Sequence, residues 1–265
     1  MKITKIKCKT ALSKSKLPGL DYSLNPYRGC EHNCAYCYVP NVLRINREKW
    51  GSFIDVKTNI PNVLSKDLRK KEKGVVGIST VTDPYQPIEK KYKLTRFCLE
   101  QLLIFDFPVC IQTKSDLVIR DKDLISKFSN AEVMISIGTF SDSERKILEP
   151  NSSSIDKRLK ILDDFSEIDV KKSVFFGPIY PTIKKTDLNN FFDIFSKYNV
   201  SEVLIDNFNI RISMKQNIIK KTSSNKLLKN SFSENVFEKH NFYEKIRGNI
   251  FEIGNAKNIK ITDAF

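Results

Sequence analysis

No stretch of the sequence approaches the roughly 18 consecutive apolar residues that a membrane-spanning helix needs, so no membrane partner is expected. The first eight residues, MKITKIKC, lack the apolar core and small-residue cleavage site of a secretory signal. Cysteine is scarce and unevenly placed. Of six cysteines in 265 residues, three fall inside one eight-residue window, which is no disulfide framework. Together these absences lead us to expect a cytoplasmic protein whose thiols stay reduced. No internal repeat is present. Aromatic side chains are missing from the two densest lysine runs, 66–73 (KDLRKKEK) and 215–229 (KQNIIKKTSSNKLLK), so neither run reads as a base-stacking platform.

What is present reads as a globular chain. Hydrophobic residues make up 40% and charged residues 29%, enough to bury a substantial core. The net charge of +14 is mostly lysine and is spread along the chain. It suits a polyanion such as nucleic acid, or simply a solvated lysine surface in a chain rich in Lys, Ile and Asn.

The hydrophobic pattern divides the chain. Residues 1–21 are polar and basic with a Pro18-Gly19 turn, and are expected to form an irregular N-terminal arm. From about residue 52 to 206, short apolar strand patterns alternate with helical ones. Strands are expected at 52–57, 74–79, 108–113, 132–138, 172–176 and 202–206. Helices are expected at 60–73, 94–105, 124–128, 155–165 and 188–198. Such alternation implies parallel βαβ units and an α/β fold. Counting the extended entry at Tyr22 and leaving out 52–57, which is a strand or an extended segment, about six strands belong to this series, too few for a complete eight-stranded barrel. An incomplete (β/α)6 TIM-type barrel spanning 22–206 fits better. Residues 207–265 form a helical C-terminal extension, broken near 222–225, with a possible last strand after Ile250. In such folds functional groups collect at the carboxyl ends of strands.

The densest chemistry lies in Asn25-Pro26-Tyr27-Arg28-Gly29-Cys30-Glu31-His32-Asn33-Cys34-Ala35-Tyr36-Cys37-Tyr38. The spacing C-x3-C-x2-C lets one short loop wrap a compact soft centre. A zinc ion would want a fourth ligand, for which His32 is the only histidine in reach. A [4Fe–4S] cluster held by three cysteines would leave one iron open.

This motif, with its aromatic before the last cysteine and its βα context, resembles the radical S-adenosylmethionine (SAM) superfamily. Further stretches are similar to its spore photoproduct lyase-like, or DNA repair photolyase-like, branch: 79–89 (STVTDPYQPIE), 113–121 (TKSDLVIRD), Leu148-Glu149-Pro150, Lys157-Arg158-Leu159, and Pro178-Ile179-Tyr180-Pro181. The resemblance covers residues 22–206. It implies that Cys30, Cys34 and Cys37 hold three irons of a [4Fe–4S] cluster and that SAM chelates the fourth. One electron would then cleave SAM to methionine and a 5′-deoxyadenosyl radical. It further implies that Thr82 and Asp83 handle the methionyl ammonium, Lys114 the carboxylate and Ser136 a ribose hydroxyl, with the backbone beside Tyr36 at the adenine. Each has an ordinary alternative: Asp83 before Pro84 can set a turn, Ser136 can cap a helix, and Lys114 can be solvated.

Strand periodicity places Gln112 and Cys110 on the face of Lys114, and Met134 and Glu132 on that of Ser136. Glu132 then needs a partner, Arg120 or a lysine. Glu89, Glu149, Arg145 and Arg158 suit structural ion pairing as well as substrate contact. Spore photoproduct lyase returns a hydrogen atom from a cysteine; the matching position here is Val81, which has no such hydrogen to give. Cys98 reads as a packed thiol, Cys110 lies deep in its strand, and Cys8 sits in the arm. No catalytic residue is assigned. The readings carried forward are a radical SAM enzyme acting on nucleic acid, the same enzyme on a peptide or small molecule, and a non-enzymatic Fe–S or zinc nucleic-acid-binding protein. Either enzyme needs a reductant such as ferredoxin or flavodoxin.

Overall fold

The computed structural model describes residues 1–238 and 241–264; Phe265, the last residue of the expected extension, lies outside them with Lys239 and His240. The described chain forms two compact units. The first comprises Met1–Asn33, Val39–Met134 and Glu167–Lys171, the second Cys34–Tyr38, Ile135–Ser166 and Lys172–Phe265.

The first unit contains, in chain order, β1 (Lys2–Ile6), β2 (Leu12–Lys14), β3 (Tyr22–Leu24), β4 (Tyr27–Arg28), α1 (Val39–Val42), β5 (Phe53–Lys57), α2 (Ile60–Leu68) and β6 (Val76–Ile78). It continues with α3 (Glu89–Tyr92), α4 (Leu94–Ile104), β7 (Val109–Thr113), α5 (Lys122–Ile125) and most of β8 (Ala131–Ser136). A small sheet has the order β1-β5-β4, and a larger one runs β2-β3-β6-β7-β8. Within the larger sheet, β3 pairs in parallel with β6 and β6 with β7, while β2 joins β3 antiparallel. Strand β7 alternates as expected: Val109, Ile111 and Thr113 are buried, Cys110 and Gln112 half-buried. Helices α2 and α4 turn Ile60, Leu64, Leu68 and Leu94, Cys98, Leu99, Leu102 into the interior.

The second unit contains the end of β8, then α6 (Asp142–Leu148), α7 (Ile155–Asp164), β9 (Lys171–Phe176), α8 (Lys185–Lys197), β10 (Glu202–Ile205), α9 (Ile212–Lys221), α10 (Lys226–Phe232), α11 (Asn241–Ala256) and β11 (Lys260–Asp263). Its strand order is β8-β9-β10-β11, with β9, β10 and β11 parallel. Serine hydroxyls start two of its helices: Ser141 accepts from the Glu144 N–H and Ser154 from the Lys157 N–H, each at 3.4 Å. Asn225 caps α10 through the Leu228 N–H at 3.0 Å, so the polar break expected near 222–225 is a helix start. The run β3, β6, β7, β8, β9, β10 is the six-strand series expected of a (β/α)6 fold.

One expectation needs correction and another needs narrower bounds. Residues 1–21 are not irregular, since β1 forms a parallel ladder with β5 and β2 pairs with β3. Both are pinned from later in the chain. Asn59 exchanges two hydrogen bonds with the Cys8 backbone, and Asp67 Oδ2 accepts the N–H groups of Ala11 and Leu12 at 2.9 and 3.1 Å. At the other end, residues 250–254 are helical and only Lys260–Asp263 is a strand. Ile246, Ile250 and Ile253 are buried at helical spacing, which outweighs their individual β propensity.

The Asp67 clasp yields a prediction. Asp67→Ala leaves two backbone donors without their acceptor and should lower stability by about 1–3 kcal/mol in urea unfolding. An unchanged midpoint would mean that β2 is held by its ladder alone.

Candidate active site at the cysteine loop

The cysteine loop divides between the two units, Cys30–Asn33 with the first and Cys34–Tyr38 with the second. In the first unit it is clasped by the connection that follows β6. Asn25 Oδ1 accepts the N–H groups of Thr80 and Val81, both at 3.0 Å. The Thr82 hydroxyl donates to the Gly29 carbonyl at 2.5 Å and accepts from Gln86 Nε2 at 2.9 Å. Gln86, fully buried, accepts the Glu31 N–H at 2.9 Å, and Glu31 accepts the Ile88 N–H at 2.5 Å. Gly29 adopts φ +92°, where a Cβ would run into the Phe53 carbonyl, so glycine is required directly before Cys30.

Asp83 lies at the centre of this clasp. Its carboxylate accepts from the Tyr85 N–H at 2.9 Å, the Thr113 hydroxyl at 2.8 Å and the Lys114 N–H at 2.8 Å. His32 Nδ1 sits 3.3 Å from Asp83 Oδ2, close enough for attraction but outside hydrogen-bonding geometry. Burial pushes the Asp83 carboxyl up, but the His32 charge and the donated hydrogen bonds more than offset it and hold the group at about 2. Asp83 thus ties the histidine of the cysteine loop to the end of β7. Lys114 continues from that end, half-buried.

In the second unit the loop is held at consecutive residues. The Ala35 N–H donates to the Leu148 carbonyl at 2.7 Å, and its carbonyl accepts from Asn217 Nδ2 at 2.8 Å. The buried Tyr36 hydroxyl donates to Glu149 Oε1, with the ring edge-on to Tyr180 and Phe208. Ser136 ends β8, buried, and its carbonyl accepts from Arg158 Nη1 at 2.8 Å. The structure thus joins Thr82, Asp83 and Lys114 in one hydrogen-bonded group. Tyr36 and Ser136 are joined in another through Glu149 and Arg158.

The charged residues of the family-like stretches are paired internally. Glu89, buried, accepts from the Tyr27 hydroxyl, from Arg120 at 2.7 Å and from the Thr95 N–H at 3.0 Å. Arg145 binds Asp142 and the carbonyls of Glu149 and Ser152. Glu132 pairs with Lys171 at 3.3 Å, the lysine alternative, while Arg120 serves Glu89 and Asp121. Sequence reasoning missed Gln86 and Asn217 as loop holders, because an amide in a helical or loop pattern carries no local mark of a distant partner. It also passed over Asp206, at the end of β10, whose carboxyl burial raises to about 6. Its signal was the strand-end position that singled out Asp83 and Ser136.

All six cysteines are thiols. Among the described residues no three His, Cys, Asp or Glu side chains converge as a site for a single ion would require. His32 Nδ1 faces Asp83, and the three thiols of the loop are a donor set that fits a cluster in which each thiolate takes a different iron.

The family model described as the radical SAM superfamily matches residues 24–194. This chain belongs to the radical SAM superfamily. A protein of Methanocaldococcus jannaschii is 40% identical over 184 residues, covering 69% of this chain and 70% of that protein. Proteins of Acidianus two-tailed virus and Mycobacterium tuberculosis are 32% and 29% identical, and the matched regions span 57% and 55% of their lengths. Spore photoproduct lyase has a similar fold. A cysteine-to-serine variant superimposes with a TM-score of 0.72 at 15% identity, over 99% of this chain and 82% of the lyase. The lyase with bound AdoMet and dinucleoside spore photoproduct gives 0.70 at 14% identity with the same coverage. Streptococcus suis SuiB bound to S-adenosylmethionine gives 0.53 at 13%, over 79% of this chain and 47% of SuiB. As a radical SAM enzyme the protein uses a [4Fe–4S] cluster and SAM and needs a reductant. Among the described residues no helix is long and apolar enough to cross a membrane.

The folded Asp83 carboxyl lies below its ordinary 3.8, so its stabilising contribution is present above about pH 4 and disappears as pH falls through 2. In iron-free protein, wild type should lose about 2 kcal/mol over that window relative to Asp83→Asn, measured by urea titrations at each pH. Parallel losses in the two proteins would contradict this pairing.

Proposed function

We propose that this radical SAM enzyme acts on nucleic acid. Cys30, Cys34 and Cys37 carry the cluster, and Lys114, Ser136, the backbone beside Tyr36 and the Thr82–Asp83 loop receive SAM. When bound, the cluster supplies the electron that cleaves SAM to a 5′-deoxyadenosyl radical. Thr82 and Asp83 act by holding the loop in shape, since their side chains are engaged within the protein.

One observation carries the choice of nucleic acid. Between Asp206 and Glu234 the chain contains no carboxylate side chain, and Arg211, Lys215, Lys220, Lys221, Lys226 and Lys229 are all exposed on and beside α9 and α10. The inner faces of the two helices bury Met214, Ile218, Leu228 and Phe232, so the basic face is fixed outward. Asn217 of α9 also holds the Ala35 carbonyl, which attaches this surface to the cysteine loop. A basic face with no acidic residue in its own stretch suits a phosphate backbone, and residues 215–229 carry no aromatic with which to stack on bases. The proposed electron donor is a ferredoxin or flavodoxin.

Repair of a thymine photoproduct does not follow from this reading. Val81 stands where the lyase has its hydrogen-donating cysteine. Cys98 is fully buried in α4, and burial pushes the Cys110 thiol up to about 12. Cys98 is therefore inaccessible, and Cys110 lies near the start of β7, away from its carboxyl end.

Anaerobic reconstitution followed by SAM and dithionite should yield 5′-deoxyadenosine, and Cys34→Ala should abolish it; a chain that makes none is not an enzyme of this kind. With a photoproduct-containing oligonucleotide, little or no repair is expected. Binding to DNA or RNA should weaken steeply with salt. Charge removal at Lys220, Lys221 and Lys226 should reduce the log–log slope by about one unit per lysine. Absent or salt-insensitive binding would favour a peptide or small molecule instead.

A further inference from the structure

Only Ala35 and Tyr36 separate Cys34 from Cys37, and both are gripped by consecutive residues at the end of α6. Leu148 holds the Ala35 N–H through its carbonyl, and Glu149 holds the Tyr36 hydroxyl through its carboxylate. Glu149 Oε2 in turn takes a hydrogen bond from Arg158 Nη2 and another from the Ser152 hydroxyl at 3.2 Å. Arg158, the largest fully buried side chain, spends its remaining donors on the carbonyls of Ser136 at 2.8 Å and Ser153 at 3.0 Å and on the Ser152 hydroxyl at 2.5 Å. Arg145 secures the Glu149 and Ser152 carbonyls at 3.1 and 2.9 Å.

We propose that the buried Glu149–Arg158 pair, reaching the loop through Tyr36, is a positioning device that fixes the span between Cys34 and Cys37 and balances the charge around the cluster they hold, so that neither charge alone displaces its reduction potential. The proposal rests on the assignment of those cysteines as ligands.

The physical case has two parts. A buried ion pair contributes little net stability compared with an apolar pair of the same volume, because both charges are desolvated. What it does supply is rigid geometry and two opposite fixed charges. Here the geometry links the two-residue span between the thiols to the end of β8, so that span cannot shift without breaking a buried hydrogen bond. The charges matter because reduction adds an electron to a cluster already surrounded by thiolates. A nearby cation favours the reduced form and raises the potential, and a nearby anion lowers it. Burial works against the Arg158 charge, but the Glu149 carboxylate and then Tyr36 and Cys34 more than restore it, so this guanidinium shares its field with a ligand. With Glu149 and Arg158 both present, the two contributions cancel.

The test is an EPR-monitored redox titration of the reconstituted cluster, with iron and sulfide per chain determined alongside. Glu149→Gln leaves Arg158 unbalanced and should raise the midpoint potential, whereas Arg158→Gln leaves Glu149 unbalanced and should lower it. Arg158→Lys keeps the charge and should stay near wild type. Shifts of the same sign in the two neutralised variants, or none, would overturn the charge-balancing role. Should either single variant fail to fold, the double variant Glu149→Gln/Arg158→Met restores neutrality and should recover a wild-type potential. A displaced potential in the double variant would equally count against the proposal. Tyr36→Phe keeps the aromatic and removes the link to Glu149. It should lose its cluster to a chelator roughly tenfold faster, the effect of one buried hydrogen bond to a charged group; a wild-type lifetime would overturn the positioning role. The ligand assignment fails separately, if Cys34→Ala retains a full and spectroscopically unchanged cluster.

Discussion

An eight-residue loop that must offer three thiols has no room for a helix or strand of its own, so its backbone hydrogen-bonding groups need partners from elsewhere. That requirement organises both units. In the first, Gln86, Thr82 and Glu31 tie the loop to the β6–α3 connection, and Gly29 lets the chain pass close under the Phe53 carbonyl. In the second, Leu148, Glu149 and Asn217 take up Ala35 and Tyr36. Elements that look remote in the chain thus come to serve as loop supports.

The supports rely heavily on buried charge. Glu89 with Arg120 and Glu149 with Arg158 repeat one design: a buried carboxylate that takes a tyrosine hydroxyl on one oxygen and an arginine on another contact. Such groups are costly to bury and cannot be left unpaired, so each admits few alternative packings. Asp83 follows the same logic without an arginine, using the N–H groups of Tyr85 and Lys114, the Thr113 hydroxyl and the nearby His32. The rigidity is local, and it is concentrated around the cysteine loop.

Much of this was legible from residue pattern. The period-2 run from Val109 to Thr113 and the helical stripes of α2 and α4 were readable because burial imposes periodicity on a local stretch. The triplet of cysteines with its aromatic, in βα context, was specific enough to indicate the family. Strands β1 and β2 were not legible. They depend on Asn59 and Asp67, more than fifty residues away, and a side chain that accepts a distant N–H leaves no mark on the segment it holds. The pairing of Glu89 and Glu149 could be posed as a question but not answered, for the same reason.

The sequence by itself determined that the chain alternates strand and helix, and that three cysteines share one loop with a single nearby histidine. It also placed a valine, Val81, directly before Thr82-Asp83. Each of these is a matter of residue type and spacing along the chain. Only the tertiary structure decided that His32 Nδ1 faces Asp83, and that Glu132 finds Lys171 and not Arg120. The same holds for the placement of an arginine, Arg158, behind the tyrosine between two cysteines. Those outcomes are contacts between residues far apart in the chain, chosen because a buried polar group must find a partner and because the fold brings only certain partners within reach.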